Sequence, residues 1–165
     1  MTAEDDPSDA ASSSGDGAHD GANEDPPRTG ADGDPTVPEG AGTWAPLAPF
    51  DGDVLDATAD DHGVDPGHLR DVLRRHQSFV REYEAVGGTD GLVYEWRQSF
   101  PSDPVVEQAA DRYYLVVDER VWGDFRRRLE LDATVFDALR AVHAAQFERD
   151  VGAASGVHPM VLVRG

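Results

Sequence analysis

The apolar residues between positions 66 and 86 recur every three or four positions, which is the spacing of one face of an α-helix. The stripe consists of Leu69, Val72, Leu73, His76, Phe79, Val80, Tyr83 and Val86. Asp65 can accept a hydrogen bond from the first turn, and Pro66 suits the first helical position. Gly87 and Gly88 end the pattern. The sequence therefore predicts a helix of about 20 residues here.

Three further helices are predicted from weaker signals of the same kind. The first runs from about Asp53 to Asp61, with its C-terminal stop at Gly63. The apolar spacing predicts a second one over residues 121–129. Asp132 can cap a last helix, whose inner stripe continues to Phe147.

Three segments are predicted as strands. Over residues 92–97 apolar or aromatic residues alternate with others, which is the period of a strand with one buried face. Residues 113–117 are apolar on both faces, so this strand is predicted to be central. Residues 160–163 are predicted as the last strand. A short helix is predicted over residues 103–110, between the first and second strands. The order predicts an α+β domain with a small sheet of about three strands covered by four to five helices.

The chain divides by composition near Trp44. Residues 1–44 are rich in Asp, Glu, Gly, Ser and Pro and have almost no large apolar side chains. Such a segment cannot bury enough surface to offset its ordering entropy, so it is predicted to be a disordered acidic tail. Residues 45–165 are predicted to form a single domain.

The charge of the chain is unusual in size and in kind. Asp and Glu number 33 against 14 basic residues, the net charge is −19, and every basic residue is Arg. In 1 M salt the Debye length falls to about 3 Å, which screens most of the resulting repulsion. In composition the chain resembles small acidic haloarchaeal proteins, and it carries no motif of a named family. This resemblance implies that most charges keep the surface hydrated in a salty cytoplasm.

Several classes of function are excluded or unsupported. The chain has no Cys, which excludes disulfides, thiolate catalysis and cysteine-ligated metals. No apolar run approaches the roughly 20 residues that a membrane helix needs, so we expect a cytoplasmic protein without membrane contact. No serine lies in a nucleophile motif, and no glycine-rich loop follows a strand. We expect no cofactor.

One alternative function is nucleic-acid binding. The two helices over residues 53–86 resemble a helix-turn-helix, which is followed by strands in winged-helix proteins. That resemblance implies base or phosphate contacts from His68, Arg70, Arg74 and Arg75. Nearby aspartates and the loss of phosphate affinity in high salt argue against it.

A second alternative is a small metal-binding or acid–base enzyme. His76 and His143 each lie on the apolar face of a predicted helix, so the two side chains could face each other. With a carboxylate such as Glu95 or Glu107, they could bind a divalent metal or transfer protons. A histidine on an apolar face is more often a hydrogen-bonded core residue.

The leading hypothesis is a non-enzymatic protein-interaction or regulatory domain, with a protein partner or self-association. A cluster of positive charge could contact an anion or an acidic partner through forked hydrogen bonds, and it consists of Arg120, Arg126, Arg127 and Arg128. The hypothesis also predicts an exposed apolar patch that includes Trp44, Phe50 or Trp122.

Overall fold

The computed structural model describes residues 44–154 and 158–165. The predicted tail lies outside the described residues, except for Trp44. The elements, in chain order, are α1 (Gly52–His62), α2 (Pro66–Arg81), a 3-10 turn (Glu84–Val86), α3 (Gly88–Ser99), β1 (Val105–Gln108), β2 (Arg112–Val116), α4 (Glu119–Arg128), α5 (Ala133–Asp150) and β3 (Pro159–Val163). The α+β class, five helices and three strands agree with the sequence-based prediction.

The three strands form one antiparallel sheet in the order β1-β2-β3. The central strand is β2, as predicted, and Tyr113, Tyr114 and Leu115 on it are all buried. α5 packs against α1, α2 and β3, and α2 also contacts β3. α5 and α2 therefore bring their inner side chains to the same strand. In the described part of the chain, no helix is both long enough and apolar enough to cross a membrane.

The predicted start and stop signals of α1 and α2 are confirmed. Gly63 ends α1 in the left-handed conformation, with φ of 63°. Asp65 caps α2 by accepting the backbone N–H of His68 at 2.8 Å. α2 ends at Arg81, earlier than predicted, because the chain then tightens into the 3-10 turn.

The predicted strand over residues 92–97 is wrong, because this segment is helix α3. Its buried residues are Thr89 and Val93, with Leu92 and Trp96 packed partly against the core. These positions follow helical spacing, whereas Tyr94, which a strand would bury beside Leu92, is 61 % exposed. The alternation of residue types over six positions was therefore coincidental. The helix–turn–helix–strand order predicted for a winged helix is wrong for the same reason.

The predicted short helix over residues 103–110 is also wrong, because the segment contains strand β1. Asp103 does not cap a helix. Its carboxylate accepts the backbone N–H of Val105 at 2.9 Å and the Nε–H of Arg97 at 3.0 Å, which turns the chain into the strand. A tight connection, closed by the Ala109 N–H to the Arg112 carbonyl, then makes β1 and β2 a hairpin. Pairing with β2 therefore makes this segment a strand instead of a helix.

Candidate functional site

β3 is an edge strand, and side chains of α2 and α5 satisfy its outer backbone groups. The Gln77 amide donates to the Val161 carbonyl at 2.9 Å and accepts the Val163 N–H at 3.0 Å. His143 Nδ1 accepts the Val161 N–H at 3.0 Å. Gln77 is 2 % exposed and His143 is fully buried. Together they take the place of a neighbouring strand, because buried backbone groups need partners.

His76 and His143 do lie in contact, as the second alternative required. Their ring centroids are 5.0 Å apart, and both rings are fully buried. The Trp122 ring lies 5.6 Å from His76 and 5.1 Å from His143, and Phe125 lies 4.4 Å from His76. Burial lowers the pKa of His76 to about 3. Burial is the main cause that lowers the pKa of His143 well below its ordinary value. Electrostatic repulsion from His76 lowers this pKa further. Both rings are therefore neutral near neutral pH.

The arrangement of the two histidines is unfavourable for binding a metal ion. Because His143 Nδ1 accepts the Val161 N–H, the proton of the neutral ring lies on Nε2, which leaves no lone pair for a ligand bond. Among the described residues, no three His, Asp or Glu side chains are grouped as metal ligands. Glu95 and Glu107 are both exposed. The geometry supports a core role for the two histidines.

The residues proposed for nucleic-acid contact are mostly engaged within the domain. Arg70 pairs with Asp56 at 2.5 Å, and Arg74 pairs with Asp71 at 2.5 Å. Arg75 donates to the Leu129 carbonyl at 3.1 Å. His68 is exposed, and its backbone N–H donates to the Asp65 carboxylate. α2 itself is a central packing helix, with six residues of its inner face buried.

The four arginines of the positive cluster have different environments. Arg126 donates to the Leu131 carbonyl at 3.4 Å and lies over the Phe136 ring. Arg127 pairs with Asp124. Arg128 lies over the rings of Phe79 and Tyr83, at 5.6 and 5.8 Å from their centroids. Arg120 is exposed.

Two of the three residues predicted for the exposed apolar patch are buried. Phe50 is 6 % exposed and packs against His143, and Trp122 is fully buried against both histidines. Trp44 is partly exposed, and its ring lies under Arg81. The spacing of Trp122, Phe125 and Leu129 indicates a shared inner face of the helix predicted over residues 121–129, and all three residues are buried.

A partly exposed aromatic groove lies instead between α2, α3 and α4. It has a volume of about 130 Å³ and is lined by Phe79, Tyr83, Leu92, Trp96, Val121, Asp124, Phe125 and Arg128. Phe125 forms a buried floor and packs edge-on against Phe79 at 5.9 Å, while Phe79, Tyr83 and Trp96 are half-buried. A dry apolar cavity of about 150 Å³ holds a benzene ring, so the groove has room for about one aromatic or branched side chain.

Sequence reasoning missed this groove. The sequence pattern predicts Phe79 and Tyr83 as part of the core stripe of the long helix, whereas both are only half-buried. The α3 wall is not predictable from a segment whose alternation indicates a strand. The signal that was present is the helical spacing of Val121, Phe125 and Arg128, which places a cation beside an apolar pair.

Comparison with known proteins identifies one family. The family model described as "Domain of unknown function (DUF8048)" matches residues 48–163, a span that holds all five helices, the three strands and the groove. No curated protein and no solved structure matches the chain. Since the match covers well over half of the sequence, the chain belongs to this family of domains of unknown function (DUF8048).

Proposed function

We propose that this protein is a non-enzymatic interaction domain, which binds an apolar side chain of a partner protein in the groove between α2, α3 and α4. The observation that carries the proposal is the set of half-buried aromatic side chains around a buried floor. Large apolar side chains that remain partly exposed together mark interaction surfaces more often than scattered ones do. Aromatic residues are also enriched where protein partners bind.

The composition supports two further parts of this proposal, which are a haloarchaeal cytoplasm and a partner contact that depends on apolar burial. An excess of carboxylates with Arg as the sole basic residue fits a haloarchaeal protein in a cytoplasm of molar salt. Apolar burial suits such a medium, because salt screens charge pairs while it does not weaken hydrophobic contact.

The test uses the full chain and a neutral probe, the peptide Ac-Gly-Ser-Trp-Ser-Gly-NH2, in molar KCl. Nuclear magnetic resonance should show chemical-shift changes at Leu92, Trp96 and Val121 as the peptide is added. Val121→Asp should abolish them, because a carboxylate in the groove opposes apolar burial. Val106→Asp is the matched control, since Val106 is 54 % exposed on β1. Absence of binding, or equal binding by Val121→Asp, would refute the proposal. Sedimentation of the free chain distinguishes self-association, in which a second copy occupies the groove.

A further inference from the structure

The rim of the groove carries a guanidinium that is open to a ligand. Arg128 is exposed and lines the groove, and its guanidinium lies over the Phe79 and Tyr83 rings. Among the carboxylates whose side chains the structure describes, none lies within salt-bridge distance of this guanidinium, and Asp124 on the same wall is already paired with Arg127. A guanidinium held over aromatic faces keeps its N–H donors available at its edge.

We infer that the partner segment carries a carboxylate next to its apolar side chain, and that Arg128 binds this carboxylate. The inference rests on the proposed function and specifies the chemistry of the partner. A carboxylate matches the fork of a guanidinium, which can donate two parallel hydrogen bonds. The apolar side chain enters the groove while the acidic group stays at the rim.

The local charge of α4 favours an acidic segment at this location. α4 carries four arginines, Arg120, Arg126, Arg127 and Arg128, against two acidic residues, Glu119 and Asp124. α2 also carries more Arg than acidic residues, but Arg70 and Arg74 on it are paired with Asp56 and Asp71. The guanidinium beside the groove therefore favours an acidic segment at α4.

Molar salt does not remove a contact of this kind. The Debye length of about 3 Å at 1 M suppresses long-range steering, but a guanidinium and a carboxylate that share a hydrogen bond lie within about that distance of each other. The carboxylate is therefore expected to affect selectivity and dissociation more than the rate of association.

The experiment compares two matched peptides, Ac-Gly-Ser-Trp-Asp-Asp-Gly-NH2 and Ac-Gly-Ser-Trp-Asn-Asn-Gly-NH2, by calorimetry with the full chain. We expect the acidic peptide to bind roughly three- to tenfold more tightly, which is the range of one favourable charged contact. Arg128→Gln should remove the preference, so that the two peptides bind with equal affinity, and Arg128→Lys should restore part of it.

Arg74→Gln is the control, because it changes the net charge equally at a position away from the groove lining and should keep the preference. Equal binding of the two peptides by the unmodified chain would overturn the inference and leave the proposed function standing. A preference that survives Arg128→Gln would also overturn it. If neither peptide binds, both the inference and the proposed function fail.

Discussion

At the scale of single residues, two buried polar side chains have defined backbone partners. His143 and Gln77 form hydrogen bonds with backbone groups of β3, whereas His76 packs against the rings of Trp122 and Phe125. The helical stripe predicted that both histidines would face the core. It could not predict Gln77, because its partners are backbone atoms more than 80 positions away. Likewise, the engagement of Arg70 with Asp56 depends on how two helices cross.

The buried histidines should make stability depend on pH. Their folded pKa values lie below the ordinary value, so the unfolded chain takes up protons first as the pH falls. Their contribution is complete above about pH 6.5 and is lost below it, by up to about 1.4 kcal/mol per pH unit for each histidine. We expect His143→Gln, whose amide oxygen can accept the Val161 N–H, to reduce this slope.

The measurement is urea unfolding between about pH 7.5 and 5.5, above the range where most carboxylates titrate. His68→Gln is the control, because His68 is exposed, and it should leave the slope unchanged. A slope that His143→Gln does not alter would contradict the burial of a neutral ring.

At the scale of elements, the long periodic helices were predictable and the short segments were not. α2 and α5 have capped starts and long stripes, so local sequence suffices for them. α3 and β1 were predicted with their types exchanged. For each, the deciding contacts lie outside the segment. α3 passes so close to the preceding turn that a Cβ on Gly91 would lie 1.5 Å from the Val86 carbonyl oxygen. β1 is a strand because it pairs with β2.

The edge of β3 offers a test at this scale. Gln77→Leu keeps the size of the side chain but leaves the Val161 carbonyl and the Val163 N–H buried without partners. We expect a loss of roughly 1–3 kcal/mol in the free energy of unfolding for each group. Urea unfolding in molar KCl measures it.

Gln98→Leu makes the same chemical change at an exposed position of α3 and should stay within about 0.5 kcal/mol of the original. Equal stability of Gln77→Leu and Gln98→Leu would show that the Gln77 contacts contribute nothing to β3.

At the scale of the whole molecule, the acidic charge sets the conditions in which the fold is stable. Residues 45–165 carry 22 Asp or Glu against 13 Arg, and compaction intensifies the repulsion among these charges. Several ion pairs offset part of it, among them Arg149 with Asp51 and Asp53, and Arg164 with Asp90. On the proposed adaptation to salt, screening by the solvent offsets much of the rest.

We therefore expect the midpoint of thermal unfolding to rise as KCl increases from about 0.1 M to 2 M, because the Debye length falls from about 10 Å to less than 3 Å. Circular dichroism of the full chain measures the midpoint. Sorbitol is the control: it stabilises by exclusion from the surface and does not screen charge, so it should rescue less of the stability lost in dilute buffer. Equal midpoints in dilute and concentrated KCl would contradict the proposed adaptation to salt.

The sequence by itself determined the α+β class, the capped helices, the central strand and the net charge of −19. These properties depend on composition and on spacing within one segment, so they can be read locally. Only the tertiary structure decided which short segments became helix or strand, that His143 and Gln77 would complete a sheet edge, and that three helices would leave an aromatic groove beside Arg128. Each of these arises where residues distant in sequence meet, because burial and hydrogen-bond partners are properties of the assembled chain.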